Sequence, residues 1–98
     1  MNYLSTLYQK LPELKADAFL VTNAVNVQYL SGFTGHDSFL LVMPGKAFLI
    51  TDFRYITQAE GEIKDKNIRI IRHKNGLYKK ALEIVNSRRP LNGEAGGN

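Results

Sequence analysis

The chain has 98 residues, 13 Lys+Arg against 9 Asp+Glu for a formal net charge of +4, and 44% apolar residues. That length supports one small core rather than two, and the apolar fraction excludes global disorder. There is no cysteine, which excludes a disulfide scaffold, a Cys-ligated zinc site and a thiol nucleophile.

In chain order, Leu4, Leu7, Leu11 and Leu14 recur at helical spacing, with Asn2 available as a cap. Pro12 has no N–H and would clash with the carbonyl of Tyr8, so a kink or an end near Lys10 is expected. Ala18–Thr22 is an apolar run of strand length, expected to be buried. Asn23 can cap a short helix that carries Val27 and Leu30 on one face and ends at Gly32. Ser38–Met43 and Lys46–Thr51 are both apolar and β-rich, and Pro44-Gly45 between them suits the centre of a type II turn, so a hairpin is predicted. Asp52 can cap a helix with Tyr55, Ile56 and Ala59 inward, closing at Gly61. Asn67–Arg72 reads as a further strand, and 77–87 as a helix with Leu77, Ala81, Ile84 and Val85 on one stripe. From residue 88 the pattern dissolves into a Gly-rich tail read as a loop or frayed end. This order predicts an α/β domain over residues 1–98, a mixed β-sheet flanked by helices.

The longest apolar run, Phe39–Met43, is far short of the roughly 20 residues that span a bilayer as a helix. Met1-Asn2-Tyr3-Leu4 does not open a signal peptide. A soluble, cytoplasmic protein without a membrane partner is therefore expected. The charge is uneven: residues 1–61 hold four basic and five acidic side chains, and residues 62–98 hold nine and four. A basic third invites a nucleic-acid reading, but single-strand binders interleave basic groups with stacking aromatics, and only Tyr78 stands in this region. The preferred reading is a solvated face, or one that meets an acidic neighbour, and not a nucleic-acid site.

No GxSxG, HExxH, GxGxxG or P-loop pattern is present, and the histidines, His36 and His73, lie on separate elements. Glu60 and Glu62 share no helix face, and no spacing suggests three or four converging metal ligands. Gly32-Phe33-Thr34-Gly35 fits either a GxxG backbone clamp of the KH type or a helix end followed by a turn; it joins a helix to a strand and carries no basic residue, which favours the turn. Asp52-Phe53-Arg54-Tyr55 stands where a strand feeds a helix, the kind of junction at which α/β domains place functional groups. Arg54 offers a fork for a carboxylate or carbonyl, and Tyr55 a hydroxyl; a plain cap beside an exposed Arg and a packed Tyr is the alternative.

Three segments in order carry a family resemblance. Ala16–Thr22, Asn26-Val27-Gln28-Tyr29-Leu30-Ser31-Gly32-Phe33-Thr34-Gly35 and Phe48–Tyr55 with Gln58-Ala59 resemble the first strand, the N-x-x-Y-L-[ST]-G-F-T-G stretch and the L-L-T-D-x-R-Y-x-x-Q-A segment of the creatinase/prolidase/aminopeptidase P family. The resemblance implies a ribonuclease-H-like N-terminal domain that precedes a catalytic "pita-bread" domain absent from this chain. It implies no cofactor here, and two divalent ions, commonly manganese, on two Asp, one His and two Glu of the catalytic domain, activating water against Xaa-Pro bonds. It further implies a homodimer, a peptide substrate for the full-length protein and contact with its own C-terminal catalytic domain. By the same resemblance Phe53, Arg54, Tyr55 and His36 line a substrate entrance; the family usually has a small residue where His36 stands. No catalytic residue is carried over. The family architecture also serves metal-free creatine hydrolysis and histone-chaperone work, which leaves a binding module without peptidase activity as the alternative.

Overall fold

A computed structural model describes residues 3–15 and 17–88. The elements are α1 (Tyr3–Glu13), β1 (Phe19–Val21), α2 (Ala24–Ser31), β2 (Phe39–Met43), β3 (Lys46–Thr51), a 3-10 turn (Phe53–Tyr55), α3 (Ile56–Glu62), β4 (Ile68–Arg72) and α4 (Leu77–Arg88). One four-stranded sheet has the order β1-β2-β3-β4. The pairs β1–β2 and β2–β3 are antiparallel, and β3–β4 is parallel. The expected mixed α/β sheet is what forms.

The hairpin follows from its turn. Pro44 sets φ at the first central position, and Gly45, at φ +79°, takes the left-handed position that a type II turn requires at the second. Its register pairs Met43 with Lys46 and Leu41 with Phe48. Successive side chains then alternate between the two sides of the sheet. Leu40, Val42, Ala47 and Leu49 meet Leu4, Leu11, Val27, Phe33 and Ala59 from α1, α2, α3 and the loop after α2. Leu41, Met43, Phe48 and Ile50 meet Ala81 and Ile84 of α4. Because both faces are covered, β2 and β3 are continuous apolar runs rather than alternating ones. Each fully buried Leu or Ile of this kind contributes about 1.5–3 kcal/mol.

Two expectations need correction. Of the two outcomes expected of Pro12, a kink or an end near Lys10, the end does not occur: the helix runs through it to Glu13. Proline this close to the terminus costs one hydrogen bond, while the Leu14 N–H still donates to the Lys10 carbonyl at 3.0 Å and Lys15, at φ +55°, closes the turn onto Pro12. Leu14 therefore falls past the helix and is 67% exposed instead of extending the apolar stripe. The strand read at Ala18–Thr22 is buried only at Val21: β1 has three residues, pairs with β2 on one side, and leaves Phe19 half exposed. Asn2 and the tail beyond residue 88 lie outside the described residues.

Asn23 caps α2 as expected, its Oδ1 accepting from the N–H groups of Val25 and Asn26 at 2.9 and 3.2 Å. Gly32 ends it at φ +87°, its N–H donating to the Gln28 carbonyl at 2.8 Å. The helix read from Asp52 starts as a 3-10 turn and continues past Gly61 to Glu62. On α4, Leu77, Ala81, Ile84 and Val85 pack against the sheet as the stripe predicted. On α1, Tyr8 packs on the core with its hydroxyl buried and unpartnered among the described residues. That burial, aided by the charge of Asp65, pushes its pKa up to about 12.

Candidate functional site

Strand β3 delivers the chain to Asp52, whose extended backbone (φ −99°, ψ 175°) suits a helix cap. Its Oδ1 accepts from the Arg54 N–H at 2.9 Å and from Arg54 Nε at 3.0 Å, and its Oδ2 accepts from Arg54 Nη2 at 2.6 Å. One carboxylate thus caps the turn and grips the guanidinium with both oxygens. Arg54 Nη2 also donates to Asp37 Oδ2 at 3.2 Å, joining the loop before β2 to the turn after β3. The guanidinium carbon lies 5.1 Å from the centroid of the Tyr55 ring, within cation–π range. Hydrogen bonding to Arg54 holds the Asp52 carboxyl below its ordinary range, and the carboxylate in turn raises the Arg54 pKa.

The fork of Arg54, read from sequence as open to a ligand, is therefore largely filled from within. Its two contacts differ in strength. Asp52 is bidentate and its side chain only 17% exposed, whereas Asp37 offers one bond and is 65% exposed. The exposed pair is the weaker one.

A second cluster lies on the adjoining loop. Glu62 Oε1 accepts from the Thr34 N–H and Oε2 from the Thr34 hydroxyl, both at 2.8 Å. Gln58 Nε2 donates to Thr34 Oγ1 at 3.1 Å and to Glu62 Oε2 at 3.3 Å. The Thr34 bonds hold the Glu62 carboxyl below its ordinary range. Beneath the loop, Phe33 is fully buried and meets Tyr55 edge-on, with ring centroids 6.1 Å apart. Ser31 Oγ donates to the Val27 carbonyl at 2.6 Å and accepts from the Phe33 N–H at 3.1 Å, steering that ring inward. A Cβ on Gly35 would come within 2.3 Å of the Phe33 ring, so no side chain fits there. The Gly-Phe-Thr-Gly segment thus ends a helix and turns into the hairpin, as the favoured reading expects.

The structure brings Arg54 and Tyr55 together and places Phe53, 71% exposed, beside them on the same turn. His36 is exposed on the loop that presents Asp37. Asp37, Thr34, Gln58 and Glu62 carry no site role in the sequence reading. Gln58 and Glu62 stand at i,i+4 on one helix face, a signal that the comparison of Glu60 with Glu62 passed over. Among the described residues, no group of three or more His, Cys, Asp or Glu could hold a metal ion. No helix among them is long and apolar enough to cross a membrane.

Comparison with known proteins agrees with this architecture. The family model of the Creatinase/Prolidase N-terminal domain matches residues 4–94. An uncharacterized peptidase of Bacillus subtilis (strain 168), YqhT, is 36% identical over 84 residues, which are 86% of this chain and 23% of that protein. The crystal structure of an Xaa-Pro aminopeptidase from Streptococcus pyogenes matches with a TM-score of 0.75 and 28% identity over 86% of this chain and 63% of that one. An Xaa-Pro dipeptidase from Bacillus anthracis matches with a TM-score of 0.76 and 27% identity over 86% of this chain and 23% of that one. The chain therefore spans about a quarter of the Bacillus subtilis relative and under two thirds of the streptococcal chain. It belongs to the creatinase/prolidase N-terminal domain family and has that family's α/β fold.

Proposed function

We propose that this member of the creatinase/prolidase N-terminal domain family is the non-catalytic N-terminal domain of a cytoplasmic Xaa-Pro peptidase. It shapes substrate access to a catalytic domain that follows it, and contributes contacts within a homodimer. The observation that carries this reading is the pairing of family membership with partial coverage: the relatives are peptidases, and the chain matches 23% of one and 23% of another. In this reading the two divalent ions sit on the catalytic domain. Among the described residues no group of side chains offers them a converging donor set.

What this chain supplies is the rim. Phe53, on the turn that carries Arg54, and His36, on the loop that carries Asp37, are both exposed, and the Arg54 guanidinium lies over the Tyr55 ring. A peptide carboxylate or carbonyl approaching Arg54 displaces the single, exposed Asp37 contact, not the bidentate Asp52. Arg54 then recognises an incoming group while Asp52 keeps it aimed.

Two measurements test the proposal. Purified alone, the 98-residue chain is expected to release no N-terminal residue from an Xaa-Pro peptide, with or without manganese; robust metal-dependent turnover refutes the assignment. In the parent reading frame, two Asp, one His and two Glu of a pita-bread domain are expected beyond Asn98, and their absence removes the peptidase.

A further inference from the structure

The strongest unassigned feature is a concavity of about 220 Å³ at the corner between β4 and α4, lined by Arg72, Lys74, Asn75, Gly76, Lys79, Lys80 and Glu83. Three stretches of chain supply its charge. Arg72 is the last residue of β4, Lys74 stands on the connecting loop, and Lys79 and Lys80 lie in the first turn and a half of α4. Glu83 is the one acidic residue in the lining, and its Oε1 is 3.5 Å from Lys80 Nζ. Arg72, Lys74 and Lys79 form no ion pair among the described residues. Four cations against one carboxylate leave a local surplus of three positive charges around one small hollow. The loop is held in shape: the Gly76 N–H donates to His73 Nδ1 at 3.2 Å, the His73 N–H donates to the Thr51 carbonyl at 2.9 Å, and Gly76 turns at φ +125°.

We propose that this corner is a binding site for a compact phosphate-class dianion, gripped by Arg72, Lys74, Lys79 and Lys80. Like charges this close repel one another, and the arrangement is relieved by an anion small enough to sit among all four. Guanidinium and ammonium groups both form strong charge-assisted bonds to phosphate oxygens. The first turn of α4 carries no acidic side chain, so the positive end of that helix adds to the field instead of being neutralised. The geometry is compact rather than extended. Tyr78, the aromatic of this region, lies edge-on against Phe39 at 4.8 Å between centroids, and no second aromatic stands among the basic groups to build a stacking row for a nucleic-acid strand. The site is separate from the Arg54 rim and does not depend on its role.

The test is an amide NMR titration of the 98-residue chain with inorganic phosphate at pH 7, ionic strength held constant with sodium chloride. Saturable shifts confined to residues 72–83 are expected. The Lys74→Gln, Lys79→Gln double variant should keep the native spectrum elsewhere and bind roughly tenfold more weakly. Glycerol 3-phosphate forms the second arm: tighter binding than phosphate assigns the site to phosphate monoesters, and equal binding assigns it to the free ion. Linear, non-saturating shifts overturn the proposal, as do equal shifts in the double variant. Binding of single-stranded oligonucleotides that strengthens with strand length and moves amides along all of α4 also overturns it, in favour of an extended nucleic-acid surface.

Discussion

Strands β3 and β4 run parallel, so their carboxyl ends emerge side by side, with Thr51 paired to Arg72. At the end of β3 the charges that meet at the turn are partnered: Asp52 and Asp37 hold Arg54, and Glu62 is held by Thr34 and Gln58. At the end of β4 three cations face a hollow without a carboxylate of their own. The two corners share one end of the sheet, a strand-to-helix connection and ready access to solvent. They differ in whether charge is spent on the fold or left for something outside it, and that difference separates residues that position the backbone from residues free to bind.

The comparison can be broken most severely at its buried anchor. Phe33 lies fully buried beneath the first corner, and Phe33→Ala should cost about 3–5 kcal/mol, measured by urea denaturation followed by circular dichroism. A domain of this size holds only about 5–15 kcal/mol in total, so Phe33→Leu, expected to cost less than Phe33→Ala, is the companion variant. A loss below about 1 kcal/mol for Phe33→Ala would show that the corner does not rest on this ring.

A smaller effect sharpens the contrast through pH. The folded pKa values of Asp52 and Glu62 are depressed, so the stability they contribute is present above the unfolded carboxylate values of about 4 and is lost as pH falls through the lower folded values. The melting temperature of the chain should drop on acidification from pH 5 towards pH 2. Arg54→Gln should make that drop shallower, starting from a melting temperature a few degrees lower at pH 7. Parallel melting curves for the variant and the natural chain across that range would contradict the assignment of Asp52's shift to Arg54.

The smallest effect belongs to the second corner. Lys74→Gln and Lys79→Gln should change stability by no more than about 0.5 kcal/mol in either direction, because neither side chain has a described ion-pair partner to lose. A loss above about 1 kcal/mol by urea denaturation would mean that this corner, too, is structural.

What was readable in the sequence was local. Pro44-Gly45, Asn23, Gly32 and Asp52 each act on backbone within three or four residues, and each sits in the structure where its chemistry requires. Where a distant partner or the end of an element decides the outcome, local pattern is not enough. Proline in the last turn of α1 breaks one bond and not the helix. An apolar run at the sheet margin has a neighbour on one side only, which composition does not reveal. The site divided the same way. Asp52 and Arg54 are two residues apart and were found together. Asp37 reaches Arg54 across 17 residues and only once the β2–β3 hairpin is closed, and Glu62 reaches Thr34 across 28 and needs α3 in place as well.

The outer strands of the sheet have a consequence for association between molecules. An unpaired strand edge is a template on which another chain can add its own backbone. Among the described residues, the outer edges are those of β1, which offers only three residues, too short to hold a partner strand well, and of β4, which presents exposed Arg69 and Arg72 along its length. Two copies meeting through β4 would bring guanidinium groups against guanidinium groups. That barrier is electrical rather than steric, so it is screened by salt and opposes self-addition while leaving the edge open to a strand that carries no positive charge.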